Sequence, residues 1–425
     1  MTDWIRQSNK EVSSLDRWII GFIALFIVGF FNEHLTAVRN LGLYTAFLLT
    51  LFKLVTQRQE VLAGLRGFVA ETKVPLILLL LFSCSILFSS LFPYTQTNAS
   101  ISSLFNETRL MMVFFLIVLV VGDREKLLQG IVYAMVVAMA LGSWHFLIKD
   151  MPALSELDSS FRVSRNYANY YEYLFPFALY QLFIEKRAWL KGVIAIVLLF
   201  GMLTLVLSGV RGAWLTVAIE FFIILGYVIF YHRQAFRKML PYLVAGAVFF
   251  SGFLFYSLES SKVVKNAFDK GISLTGRDRI VKERLPIFME HGDKAFGLGH
   301  GGTQYHRFMH DHNAPRSIGR HEAGGFVFNR DEPFALQSFL HFGFVGLTLM
   351  CFLLAYMVYD LLRINKIRNA YGVSILAGFV GVYLFRGLFE GRYLSGLLFL
   401  VIMYLILRSL GPQLKLHDEA PDSPG

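Results

Sequence analysis

Charge is scarce in this chain. Of its 425 residues, 16% are Asp, Glu, Lys or Arg, well below the roughly 25% of soluble domains. That deficit argues against an ordinary water-soluble domain. Cysteine is almost absent too. Cys84 and Cys351 both lie inside apolar runs, so they read as small buried residues rather than a disulfide or a thiolate metal pair. No CxxC or HExxH framework occurs, and no internal repeat of the kind common in transporters is visible. Residues 1–17 are polar and the first apolar run is of spanning length, so no cleavable leader is expected. The formal charge of +10 does not point to nucleic acid, because the surplus belongs to particular loops.

What the chain has in abundance is apolar surface: 55% of it is hydrophobic, with 42 Phe. Twelve apolar stretches stand out, at roughly 18–31, 40–55, 74–92, 109–121, 128–148, 170–184, 192–208, 213–231, 240–257, 334–358, 371–386 and 393–408. Several fall short of the ~20 residues of an upright helix, so their ends must extend into polar flanks. The pattern predicts an all-α polytopic membrane protein of about twelve transmembrane helices. The expected division is helices one to nine over 1–257, a large partly helical loop over 258–333, helices ten to twelve over 334–408, and a disordered tail over 409–425. No buried acidic pair of the proton-relay kind is expected in the spans.

Alternate loops differ in basic charge. The set holding both termini carries 20 Lys and Arg, against eight in the short loops of the other set. The positive-inside rule then puts both termini in the cytoplasm. The loop 258–333 faces outward, with 12 Lys and Arg, 10 Asp and Glu, and six His. Loops of this length are commonly functional. Residues 277–290 read as a helix, with Ile280, Leu285, Ile287 and Phe288 as packing residues. The Gly297-Leu298-Gly299-His300-Gly301-Gly302 stretch reads as a turn whose amides can approach an anion. A second, smaller outward element is expected over 149–169.

Three arginine islands face the same way: Ser208–Trp214 around Arg211, Leu274–Arg279 around Arg277 and Arg279, and Arg386–Arg392 with an arginine at each end. Charge near a bilayer usually marks a site, and the planar guanidinium suits phosphate. Arg211 reads either as a phosphate ligand or as an interfacial anchor beside Trp214. Arg277 and Arg279 open a helix, where a cation is unfavourable unless an anion is bound. Asp278 reads as a capping or orienting residue. Arg386 and Arg392 either complete an anion cage or anchor the interface. His306, His310 and His312 have H-x3-H-x-H spacing, which in a solvated loop argues against a metal site. His312 and Glu332 are the two candidates for a general base. Glu332 precedes Pro333 at the mouth of span ten, where burial would raise a carboxyl; the bland alternative is a helix-terminal acid.

The ordered set of motifs resembles the O-antigen ligase / O-antigen polymerase superfamily. It comprises SGVRGAWL (208–215), TGRDRI (275–280), GLGHGG (297–302) and LQSFLHFGFVGL (336–347), with weaker matches in NLGLY (40–44) and NYANYYEYLFPFAL (166–179). One departure stands out. The family's His-Asn, eleven residues ahead of the G-x-x-G that starts at Gly343, is replaced by Glu332-Pro333, whereas His312-Asn313 lies about twenty residues earlier. The resemblance implies a GT-C-like glycosyltransferase in the bacterial inner membrane, with its site facing the periplasm. Its donor would be a glycan on undecaprenyl diphosphate. Its acceptor would be a lipid A–core hydroxyl for a ligase, or another lipid-linked repeat for a polymerase. Arg211 and Arg277, with Arg279, would neutralise the diphosphate, and His312 or Glu332 would take the proton in an inverting attack. No metal or cofactor is implied. Membrane lipids surround the spans, and a transporter is the competing class.

Overall fold

The computed structural model describes residues 14–150, 161–261, 264–265, 277–314, 319–322, 325–328, 333–365, 370–391 and 393–410. Side chains in 161–166, 277–279 and 319–328 lie outside the description, as do Glu332, Arg392, the region 151–160 and the tail from 411. In chain order the helices are α1 (Ser14–Phe30), α2 (Thr36–Thr56), α3 (Arg58–Leu91), α4 (Thr97–Val120), α5 (Arg124–His145), α6 (Phe161–Ile184) and α7 (Ala188–Leu207). There follow α8 (Arg211–Tyr231), α9 (Arg233–Ser260), α10 (Arg277–His291), α11 (Gly302–Asp311), α12 (Phe334–Asn365), α13 (Ala370–Gly378) and α14 (Leu394–Arg408).

Each of the twelve predicted apolar segments lies in a helix. Among the described residues, nine helices are long and apolar enough to cross a membrane, which makes this a multi-pass membrane protein. The other three depart from the expectation for separate reasons. Helices α1 and α14 have 17 and 15 described residues, at or just below the short end of the spanning range. Helix α6 has 24 residues, but tyrosines and Glu172 dilute its hydropathy. A second departure is a small antiparallel hairpin in the long loop, β1 (Gly319–Glu322) with β2 (Gly325–Phe328), pairing Gly319 with Phe328 and Glu322 with Gly325.

The core forms around α14. Its sequence is apolar on every face, and a helix of that kind must be wrapped on all sides. Residues Phe399 to Leu407 are buried without a break. Phe399 stacks on Phe30 of α1 and meets Phe31 edge-on. Helix α3 is 34 residues long, about 51 Å at 1.5 Å per residue, more than a bilayer core needs. It bends where Thr72 leaves helical geometry, three residues before Pro75, because proline removes a backbone donor. The first part of α3 is held by Arg124, whose guanidinium donates to the Gly64 carbonyl at 3.0 Å and lies over Phe68.

Helix α4 begins three turns before its predicted apolar span, in the polar stretch TNASISSLFNET. The long loop rests on this polar column. Its own small core joins Phe288, Leu298, Tyr305, Phe308, Met309, Phe339 and Leu340. Of the expected packing residues in α10, Ile280 and Phe288 are buried, while Leu285 and Ile287 flank the small core.

Candidate functional site

The loop between α7 and α8 and the turn after α13 meet at one end of the bundle. Helix α13 runs into a π-helical turn, Phe379–Phe385, and then a short 3-10 turn, Arg386–Leu388. Wide turns of this kind re-aim the next side chain and are frequent at functional sites. Here the next side chain is Arg386, 1% exposed. Its Nε and Nη2 donate to Glu390 Oε2 at 3.1 and 2.8 Å, and Nη2 also donates to Asn169 Oδ1 at 2.9 Å. Its Nη1 is ion-paired with Glu172, which is fully buried on α6.

Gly212 closes this cluster from the side. A Cβ there would lie 3.1 Å from Arg386 Nε and 3.4 Å from Glu390 Oε1. The first and third arginine islands therefore converge, because Arg211, the first residue of α8, is the immediate neighbour of Gly212. Arg211 is half-buried. The dipole of α8 adds positive potential beside its guanidinium. Trp214 serves the turn itself, with its indole donating to the Leu205 carbonyl at 2.8 Å.

The glycine-rich stretch of the long loop forms the second half of the site. Gly297, Gly299 and Gly301 all have positive φ, at +78°, +88° and +108°, where side chains are strained. The turn is pressed between α4 and a bend in α12. A Cβ on Gly301 would lie 2.6 Å from Ser103 Oγ, and one on Gly299 would lie 2.6 Å from Pro93. His341 Nδ1 meets the Gly299 carbonyl at 2.8 Å, and Ser89 donates to the His341 carbonyl at 2.6 Å. Between these glycines, His300 turns inward. Its Nε2 lies 2.9 Å from Glu107 Oε2. The other Glu107 oxygen accepts from the Leu394 backbone N–H. Leu394 begins α14 directly after the Arg386–Arg392 turn, so one short stretch of chain is gripped from both halves of the site.

The other predicted site residues fall elsewhere. Arg277, Asp278 and Arg279 form the first turn of α10, and their side chains are outside the description. Glu332 and Arg392 are outside the described residues altogether. His312 follows α11, stacks on His291 at 4.3 Å, contacts Phe308 and places Nε2 3.3 Å from the Tyr94 hydroxyl. Burial and nearby Asp311 push the Tyr94 hydroxyl above its ordinary range, so it stays a neutral hydrogen-bonding group. His306, His310 and His312 do not converge. Among the described residues no three His, Cys, Asp or Glu side chains form a group that could hold a metal ion.

Sequence reasoning missed four carboxylates. Glu172 and Glu220 are fully buried, each a single acid within its span. Glu220 lies on α8 against Gly381 of the π-helical turn. Their signal was present, since acids inside apolar runs mark function by default. Glu107 and Glu390 sit in polar stretches, where nothing local singles them out. Arg284 was also missed: it is wholly buried in the loop and donates to the Tyr305 hydroxyl at 2.8 Å. No protein-family model matches the chain, and a search of curated proteins returns no match.

Proposed function

We propose that this protein is a membrane glycosyltransferase acting on a glycan carried by undecaprenyl diphosphate. The favoured activity is that of an O-antigen ligase in the bacterial inner membrane, with twelve spans, both termini in the cytoplasm and the site facing the periplasm. The observation that carries the reading is the convergence of the Arg211 and Arg386 islands at one end of a multi-pass bundle. A diphosphate leaving group needs positive charge where it departs. Arg211 and the α8 N-terminus supply it next to a buried ion-pair cluster, and Arg277 and Arg279 open the helix that follows in the long loop. Preorganised charge in a water-poor site stabilises a departing anion without reorganisation.

Arg386 has a different role in this scheme. Its guanidinium is committed to Glu172, Glu390 and Asn169, so it positions the turn and shapes the wall behind Arg211. The polyprenyl chain lies among the lipid-facing phenylalanines. The acceptor is a sugar hydroxyl of lipid A–core, which attacks the anomeric carbon from the face opposite the diphosphate and inverts it.

The experiment is a gel of surface polysaccharide from a strain lacking the gene, with lipid-linked glycan extracted in parallel. Lipid A–core free of glycan, with long chains accumulating on the polyprenyl carrier, is the expected result. Single repeats still attached to lipid A–core would make the protein a polymerase of the same superfamily. An unchanged pattern in both extracts would overturn the reading and favour a transporter.

A further inference from the structure

We infer that His300, held by Glu107, is the proton acceptor for the attacking hydroxyl; this rests on the glycosyl-transfer reading above. The argument starts from the turn. Gly299 and Gly301 hold backbone conformations that side chains avoid, so His300 is the one side chain between them, and it points inward with 8% exposure. Its ring lies parallel to Phe342, with centroids 5.8 Å apart. That packing fixes the plane of the imidazole.

The hydrogen-bond pattern fixes its tautomer. Glu107 approaches Nε2 at 2.9 Å, and an ionised carboxylate only accepts. The Nε2 atom therefore carries the hydrogen, and Nδ1 presents a lone pair. That Nδ1 is buried and has no hydrogen-bond partner. A buried acceptor left unmatched costs about 1–3 kcal/mol, and such exceptions call for a specific reason. A histidine with one nitrogen oriented by a carboxylate and the other left unpartnered is the arrangement of a general base. A substrate hydroxyl is the group that completes it.

The second contact of Glu107 ties this base to the anion site. Its other oxygen holds the Leu394 amide, eight residues after Arg386 at the start of α14. The step balances. The acceptor oxygen forms a bond to the anomeric carbon, and its proton passes to His300 Nδ1. The bond from the anomeric carbon to the diphosphate oxygen breaks, and its electron pair leaves with the diphosphate toward Arg211. The imidazolium that results faces the Glu107 carboxylate. Glu107 is a positioning residue, and His300 touches the substrate. His312, packed on Tyr94 and His291, then belongs to the loop's outer surface.

A structural fastener between the loop and α14 would need only the Nε2 contact, and that difference sets the test. Purified full-length protein in lipid vesicles is assayed with undecaprenyl-diphosphate-linked glycan and lipid A–core. In H300Q the replacement amide can still donate to Glu107, but no base remains. The expected result is a fall in kcat of about 100- to 10,000-fold, with donor KM and thermal stability close to wild type. Rescue of kcat by this conservative change would overturn the inference while leaving the functional reading intact. Should H300Q fail to fold, E107Q decides: lower kcat at unchanged KM supports the dyad, and unchanged kcat overturns it. Absence of transfer by the wild type would overturn the functional reading and the dyad with it.

Discussion

The two ends of the helical bundle both bury charge, but they treat it differently. At the end away from Arg211, three buried carboxylates among the described residues are each paired with a cation. Lys53 meets Asp16 at 2.6 Å and the Val120 carbonyl at 3.2 Å. Asp360 pairs with Arg408 at 3.2 Å and accepts from the Tyr404 hydroxyl at 2.6 Å. Glu185 is held by Tyr133, Gln181 and Arg187. At the Arg211 end, one guanidinium faces two carboxylates, and a buried imidazole keeps a nitrogen open. The first pattern closes helix ends. The second gathers the polar groups that the proposed reading assigns to a substrate.

The sharpest way to break this comparison is to remove the charges assigned to the diphosphate. Arg211→Ala and Arg277→Ala are each expected to cut transfer about 100- to 1000-fold, with normal membrane abundance. The readout is surface glycan in a complemented deletion strain. Full activity in both variants would remove the arginine-cage idea.

Next in size are replacements of the buried pairs themselves. Losing one partner, as in Lys53→Met or Arg386→Met, leaves an uncompensated buried charge and costs about 3–5 kcal/mol. Thermal denaturation in detergent should show both as strongly destabilised. Removing both partners separates the two ends. Lys53→Met with Asp16→Leu is expected to be neutral or up to about 4 kcal/mol stabilising, with transfer intact. Arg386→Met with Glu172→Leu and Glu390→Leu should keep the fold but lose transfer.

A smaller effect is expected at Gly301. An alanine there would carry a Cβ at φ +108° and 2.6 Å from Ser103 Oγ, a strain of about 1–3 kcal/mol. It should lower both melting temperature and kcat by shifting His300, whereas Gly64→Ala, with open space around it, should do neither. Smallest is the acid response of Glu185. Burial alone would raise its carboxyl, but donation from Tyr133, Arg187 and Gln181 outweighs that and holds it at about 2, below its ordinary 4.5. The ionised form therefore stabilises the fold above about pH 4.5, and that contribution is lost as pH falls toward 2. Glu185→Gln should flatten the acid loss of melting temperature between those values. An unchanged acid profile would contradict the assignment.

The sequence made the helices legible because each apolar run is long against the noise of single residues. The helix at 277–290 and the glycine turn were equally readable, from periodicity and from the spacing of three glycines. The buried charges were not. Glu172 and Glu220 are single acids inside runs whose average hydropathy hides them. Arg386 meets Asn169 across 217 residues, a pairing that no local pattern encodes. The Glu107–His300 contact spans 193 residues and is equally tertiary. His312 drew attention as a candidate base followed by Asn313, and the structure packs it against Tyr94 and His291. The hairpin at 319–328 escaped notice because its strands are four residues each.

The most direct test compares the two ends in one strain. A deletion strain is complemented with the Lys53→Met, Asp16→Leu double variant or with the Arg386→Met, Glu172→Leu, Glu390→Leu triple variant. Membrane abundance and surface glycan are then measured together. The account predicts equal abundance, with glycan restored by the double variant and absent with the triple. Glycan restored equally by both variants would contradict it.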